Sequence, residues 1–263
     1  METLKDRDDV IPQLLKEHGG MVYSLGRRMC DNAEEAEDLV QETFLQAYRN
    51  WDQFEGRSSP KTWLYTIAAR TCQRMHRRRV GQPRRMQSLE ELLPFGEGNL
   101  GFYDANSDSP LDLEIRREGK ERIEEAIVTL PIDFRVPLIL KDILGMSIKE
   151  VAEITDLKEA TVKTRVHRAR LRLRQALDTV LPKKPVPPAA YSVQVCMDLL
   201  NLKQECLDRG EASHKQLDEM VCERCDTIFA TLDGTVNACQ EIGQGRMPNE
   251  LRERILLHFR DSA

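Results

Sequence analysis

The sequence predicts an all-α protein: two helical modules joined by a flexible linker, then a small helical, cysteine-rich domain at the C-terminus. Three observations carry that expectation. Apolar residues recur every three or four positions through most of the chain, the spacing of one helix face. Charged residues make up 32% and aromatic residues only 5%, a balance that suits solvated helix faces better than a β-sandwich. Two stretches rich in Pro or Gly, 81–113 and 181–190, interrupt the periodicity. At roughly 100–200 residues per domain, 263 residues make about two domains with room for a small third.

Residues 8–80 read as helices throughout. Ala36, Leu39, Val40, Thr43, Phe44, Ala47, Tyr48 and Trp51 form one stripe, and the opposite face is acidic and polar. The break Asp52–Ser59 precedes Pro60, which suits a first helical turn with Ser58 or Ser59 as its cap. Leu64, Ile67, Ala68, Thr71 and Met75 line the helix that follows. Its C-terminus carries Arg77–Arg79, where the helix dipole favours cations. A loop as long as 81–113 is unusual inside a compact domain, so it marks a boundary.

Periodicity resumes over 114–180. Ile123, Ala126, Ile127 and Leu130 form a stripe that stops at Pro131. Val136, Ile139 and Leu140 belong to the next helix, ended by Gly145, and Ser147 with Glu150 forms a capping box for another. A short turn at Thr155–Leu157 leads into a long basic helix from Lys158. Two helices across a tight turn, the second bearing the cations, make a helix-turn-helix pattern.

The net charge of −5 conceals segregation. Residues 31–42 carry six acids and no base, 57–85 carry nine Lys/Arg and no acid, and 158–174 carry seven Lys/Arg against one Glu. Local potential, not net charge, decides nucleic-acid binding, so two basic blocks outweigh a mildly acidic whole. No run of about 18 apolar residues occurs, which predicts no membrane span. The first residues lack an apolar signal-peptide core, which places the protein in the cytoplasm. In a reducing compartment seven cysteines read as buried thiols or metal ligands, not as a disulfide framework.

Taken in order, these segments resemble a bacterial RNA polymerase sigma factor of the extracytoplasmic-function (ECF) group. The resemblance covers about residues 8–180. Glu34–Trp51 resembles the group's polymerase-gripping helix, Phe54–Arg79 its promoter-opening part, and Leu130-Pro131, Arg135–Leu140, Ser147–Ile154 and Thr161–Arg174 its region 4. Ala160 stands where the group often has Gly. The resemblance implies sigma region 2 over 8–80, a linker over 81–113, sigma region 4 over 114–180 and a Pro-rich linker over 181–190. It implies core RNA polymerase and promoter DNA as partners, with region 2 on the −10 element and region 4 on the −35 element.

The residues agree with that reading. The acidic, apolar helix 36–51 suits a protein partner, which the resemblance makes the clamp helices of the polymerase's largest subunit. Asp38, Gln41, Glu42 and Gln46 are the candidate contacts. Opening a promoter needs cations for phosphates and flat surfaces for unstacked bases, so Arg57, Lys61, Trp63, Arg70, Arg74, Arg77 and Arg78 are candidate DNA contacts. Trp63 heads the apolar pair Trp63-Leu64, which also suits a core position. Recognition helices read bases from their N-terminal part. That makes Thr161, Lys163, Thr164 and Arg165 base readers. Arg168, Arg170, Arg172 and Arg174 would clamp phosphates or face solvent, and His167 reads as surface without a partner.

Residues 191–263 hold five of the seven cysteines. Cys222 and Cys225 form a Cys-x-x-Cys at the end of an expected helix, 212–221, and Cys196 lies on an earlier helix. The layout is similar to the zinc-binding anti-sigma domain, with Asp218 where that family has His. The implied ligands of a Zn²⁺ ion are Cys196, Asp218, Cys222 and Cys225, with His214 as alternative fourth ligand; His214 is about 12 Å along a straight helix from Cys222. The same thiolates make a redox switch if they oxidise. Cys30 and Cys72 read as core, and Cys239 falls in a loop-like stretch. The helix 250–260 carries the stripe Leu251, Ile255, Leu256 and Phe259, which needs a surface to pack on.

The function expected is promoter-specific initiation on core polymerase, regulated by the fused C-terminal metal or thiol domain through contact with the sigma modules. No catalytic residue is assigned. A helix-turn-helix metalloregulator that binds operators without polymerase leaves helix 36–51 unexplained. A zinc deaminase needs His-x-Glu and Pro-Cys-x-x-Cys; Val221 precedes Cys222, and no His-x-Glu occurs.

Overall fold

A computed structural model describes residues 6–30, 32–77, 85–93, 95, 99–103, 109–211, 215–242 and 247–261. In chain order its elements are α1 (Arg7–Met29), α2 (Ala33–Arg49), a 3₁₀ turn (Trp51–Gln53), α3 (Pro60–Arg77), α4 (Leu89–Leu92), β1 (Asn99–Gly101), α5 (Pro110–Thr129), α6 (Ile132–Leu138) running into a π-helical turn (Ile139–Ile143), α7 (Ile148–Thr155), α8 (Glu159–Asp178), β2 (Lys183–Pro185), α9 (Val193–Arg209), α10 (Lys215–Met220), α11 (Glu223–Ile242) and α12 (Asn249–Asp261). The all-α expectation holds, with one small β-ladder added.

The chain forms two compact units: Met1–Gln82 with Lys149–Glu159 and Gly243–Ala263, and Pro83–Ile148 with Ala160–Ile242. In the first unit α1, α2 and α3 pack on one another around Ile11, Leu15, Val22, Leu25, Phe44, Leu64 and Tyr65, all fully buried. Local chemistry sets the starts of these helices. Asn32 accepts from the Glu35 amide at 2.9 Å and Ser59 from the Thr62 amide at 3.0 Å, each satisfying a donor that the helix cannot. Cys30 and Cys72 are core, as expected.

The last helix, α12, belongs to this unit and packs on α1 and α2. Leu251, Ile255 and Phe259 are buried, and each contributes about 1.5–3 kcal/mol by leaving water. Phe259 stacks on Tyr48 with centroids 4.9 Å apart and planes 10° from parallel. Arg254 pairs with Glu37 at 2.7 Å. Met247, just before α12, fills the space beside Gly19, where a Cβ would stand 2.9 Å from its Cε.

The second unit is built around α11, which packs on α5, α9, β1 and the π-helical turn. Its core joins Leu92 and Leu100 to Leu171 of α8 and to Cys196, Leu199, Leu200, Cys206, Ile228 and Leu232. Segments 81–113 and 181–190, read as linkers, are therefore partly structured: β1 and β2 pair antiparallel with Leu100 opposite Lys184. Gly101 is required there, because a Cβ would come within 2.5 Å of Asp178 Oδ1, which accepts the Gly101 amide at 2.7 Å.

Two further readings are corrected. The helix expected over 212–221 is α10, which ends at Met220, so Cys222 precedes α11 and does not close the earlier helix. Cys239 lies inside α11 and is buried, not in a loop. Tyr65 is core, and burial holds its hydroxyl well above the usual tyrosine range.

Candidate nucleic-acid and polymerase interface

α2 displays the expected partner face. Asp38 is exposed, and Gln41, Glu42 and Gln46 are half-buried along one side. Gln46 donates to Glu42 at 2.6 Å, and Glu42 also pairs with Arg74 of α3 at 3.4 Å. A candidate polymerase contact and a candidate DNA contact thus neutralise each other at the surface, where such a pair is worth about 0–1 kcal/mol and exchanges readily.

On α3 and the turn before it, Trp63 is half-exposed and belongs to an aromatic cluster, edge-on to Trp51 at 5.7 Å and tilted against Phe54 at 5.4 Å. Phe54 and Trp63 with Gln53, Glu55, Arg57 and Ser58 line an open cavity of about 260 Å³. A flat apolar wall beside a guanidinium is the chemistry that receives an unstacked base next to its phosphate. Arg57 is exposed beside Glu55. Lys61 pairs with Glu150 of α7 at 3.5 Å. Arg70 and Arg74 line a larger cavity, about 690 Å³, with Ile154, Thr155 and Asp156. The Arg77 side chain and all of Arg78 lie outside the described residues.

The helix-turn-helix has the expected local geometry. α7 ends at Thr155, Asp156 takes φ 56° to turn the chain, and α8 starts at Glu159. Thr164 is exposed, and Thr161, Lys163, Arg165, Arg168 and Arg172 are half-exposed. Arg168 lies over the Phe134 ring at 5.4 Å and donates to the Gln87 carbonyl. Arg170 and Arg174 are not phosphate clamps or solvent-facing: both are buried. Arg170 grips Asp142 with two bonds of 2.7 and 2.8 Å and Asp208 of α9 at 2.8 Å. His167 is likewise not free; its Nε2 lies 2.9 Å from the other Asp208 oxygen. Gln204 of α9 donates to the His167 carbonyl at 3.1 Å.

Burial works against both charges, yet the ionised forms prevail. Asp142 and Asp208 hold Arg170 above its ordinary value against the burial penalty. Burial raises Asp208, but the bond from His167 and the charge of Arg170 overcome it and leave its carboxyl below the usual range. Sequence reasoning missed Asp142 and Asp208. Asp142 offered one signal, a carboxylate inside the apolar run Leu138–Leu144, which in a folded chain calls for a buried cation.

Cys196, Cys222 and Cys225 are brought together. The Cys225 thiol is hydrogen-bonded to both others, and burial first, then its two sulfur neighbours, push it up to about 12. Burial raises Cys222 too, but the Ala190, Cys225 and Arg224 amides outweigh it and lower the thiol from its ordinary value. The donors suit a soft cation such as Zn²⁺, but a closed tetrahedral site needs four ligands. Among the described residues no group of three or more His, Cys, Asp and Glu side chains is set to hold a metal ion. The Asp218 side chain and His214 lie outside the described residues.

A three-helix bundle and a helix-turn-helix are the modules of a sigma-70-type initiation factor, and the family models agree. Residues 14–81 match sigma-70 region 2 and residues 120–173 match sigma-70 region 4. The chain is 33% identical over 179 residues to the ECF RNA polymerase sigma factor SigW of Bacillus subtilis, covering 67% of this chain and 93% of that protein. It is 33% identical over 154 residues to the RNA polymerase sigma-H factor of Pseudomonas aeruginosa, covering 59% and 79% respectively. The solved complex of the sigma factor RpoE with the anti-sigma factor NepR from Bartonella quintana aligns at 26% identity and TM-score 0.44, over 63% of this chain and 94% of that one. The chain belongs to the ECF sigma factor family. It directs RNA polymerase to promoters and is an initiation factor, not an enzyme. No helix among the described residues is long and apolar enough to cross a membrane.

Proposed function

We propose that this sigma factor acts in the cytoplasm under the control of its own C-terminal segment, an anti-sigma-like thiol domain. The observation that supports it most is the Asp208–Arg170 pair. Asp208 on α9, beyond both matched family regions, binds a buried guanidinium of the recognition helix and pairs with His167 on the same helix. The polymerase contacts in this reading are Asp38, Gln41, Glu42 and Gln46. The promoter contacts are Arg57, Lys61, Trp63, Arg70, Arg74, Arg77 and Arg78 on the −10 side, and Thr161, Lys163, Thr164, Arg165, Arg168 and Arg172 on the −35 side.

The signal enters at the cysteines. Cys222, the thiol lowered by the Ala190, Cys225 and Arg224 amides, attacks hydrogen peroxide and becomes a sulfenic acid with loss of water. The Cys225 thiol then displaces a second water to form a disulfide, so two thiol protons and two electrons leave with the peroxide oxygens. Zn²⁺ held by the three cysteines, with Asp218 or His214 as fourth donor, would block that oxidation.

Promoter-dependent run-off transcription with core polymerase tests the reading. Asp208→Asn is expected to raise it, and peroxide to change it in the native chain but not in Cys222→Ser. Transcription indifferent to both sinks the control by the C-terminal segment. Metal analysis of protein purified without chelator, native and Cys222→Ser/Cys225→Ser, tests the zinc; about one ion per chain, lost in the variant, is the expected result.

A further inference from the structure

Three polar side chains of the first unit line one cavity and leave their bonding capacity unused. Arg70 and Gln73 of α3 and Asp156, in the turn after α7, border the same open space of about 690 Å³. Among the described residues none of these three side chains has a hydrogen-bond or ion-pair partner. Arg70 and Asp156 thus bring opposite charges to one cavity and stand too far apart to pair. A gap of that kind suits a ligand with complementary groups at its two ends. We propose that the cavity is a binding site for a nucleoside diphosphate, with its phosphates on Arg70 and Arg74 and its sugar hydroxyls on Asp156.

The size is that of a small-molecule site, roughly 300–1,000 Å³. Arg70 and Arg74 stand one helical turn apart on the same face of α3, and guanidinium forks match phosphate oxygens in pairs. Arg74 also meets Glu42 at 3.4 Å, but that pair is half-exposed and yields readily to a phosphate. The Gln73 amide, between the two arginines, offers a further donor. Two guanidinium groups against one carboxylate call for a ligand with more negative than positive charge, which fits a nucleotide and not a zwitterion such as an amino acid. Across the cavity the Asp156 carboxylate accepts from hydroxyls, the way acidic side chains hold a ribose. Its backbone, at φ 56° in the turn, fixes where it stands. Ala69 and Ile154 make an apolar floor for the base. Asp156 also argues against a DNA strand as the occupant: a strand carries a phosphate at every step, and one would meet the carboxylate, whereas a free nucleotide presents hydroxyls there. A filled site takes both arginines from promoter DNA and lowers promoter opening. That consequence alone rests on the reading of Arg70 and Arg74 as promoter contacts.

Equilibrium dialysis of the full-length chain with adenosine diphosphate, pyrophosphate and adenosine tests the site. The diphosphate is expected to bind more tightly than either of its parts. Arg70→Ala should weaken it about tenfold or more, the loss of a charge-assisted bond. Asp156→Asn keeps a residue type that accepts the turn; it should weaken the diphosphate several-fold while leaving pyrophosphate unchanged or tighter. Arg70 and Asp156 are both exposed, so the variants keep the fold, and a purely structural effect would move both probes together. No binding of the diphosphate, binding that survives both substitutions, or pyrophosphate bound as tightly as the diphosphate in the native chain overturns the site. With core polymerase, saturating diphosphate should reduce open promoter complexes of the native chain and not of Arg70→Ala. Diphosphate bound with promoter opening unchanged overturns the promoter role of the two arginines instead.

Discussion

α3 and α8 both carry runs of cations in the sequence, and the structure treats them oppositely. On α3 the cations Arg74 and Lys61 stay at the surface, and their partners are half-exposed carboxylates: Arg74 with Glu42 at 3.4 Å, Lys61 with Glu150 at 3.5 Å. On α8, Arg170 and Arg174 are taken inside and Arg170 is clamped from two elements. A basic run therefore need not be a single electrostatic surface. On α8 one face keeps Thr164, Arg165 and Arg168 outward, and the other uses guanidinium as a structural cross-link between elements far apart in sequence.

The largest contrast to test is in stability. Asp142→Ala takes from the buried Arg170 its two-bond partner, leaving Asp208 as the remaining carboxylate, and is expected to cost up to about 3–5 kcal/mol, read as the urea midpoint; Arg74→Ala should stay within about 0.5 kcal/mol. Equal losses would erase the distinction between the helices. Next come the nucleic-acid contacts. Trp63→Ala should lose about 1–3 kcal/mol of single-strand stacking, seen as fewer open complexes with core binding unchanged. Arg165→Ala should relax discrimination at one −35 base pair by about 1–3 kcal/mol, and the same change at Arg170 should not.

Smaller still is a pH effect confined to the α8 side. The folded Asp208 carboxyl lies below its ordinary value, so its contribution is complete above the unfolded value of about 3.9 and is lost as pH falls through the folded one. Acid unfolding of the native chain should show that loss, and Asp208→Asn should flatten it. A comparably slight effect is expected at Lys61: Lys61→Ala should change stability by less than about 1 kcal/mol while weakening promoter binding.

Helices were legible because their apolar stripes repeat at the helix period. Ser59 was legible as a cap because Pro60 follows it, and Asp156 as a turn because the apolar pattern skips there. Arg170 was not, since Asp142 and Asp208 stand 28 and 38 residues away and an arginine among arginines looks like a DNA contact. Leu92 and Leu100 were lost among the glycines and prolines of 81–113, because single apolar residues carry no period. The start of α11 was hidden too. Nothing at Met220-Val221 resembles a helix break, so the cysteine pair was assigned to the wrong helix end. The grouping of Cys196 with Cys222 and Cys225 came from the resemblance to the zinc-binding anti-sigma layout, since Cys196 stands 26 residues before Cys222 and no local spacing joins them.

The short ladder between β1 and β2 has a mechanical meaning. It pins residue 99 against residue 185, so the chain from α5 to α8 is a loop with its two ends stapled together. A proline-rich spacer drawn as a free string would let the last third of the protein drift from the recognition helix at no cost. The ladder limits that freedom only up to residue 185: the closure entropy of the loop between the paired segments has already been spent in the folded state, and opening that loop means unzipping three residue pairs. Opening of that loop is then a threshold event with a definite first step, not a gradual loosening of a leash.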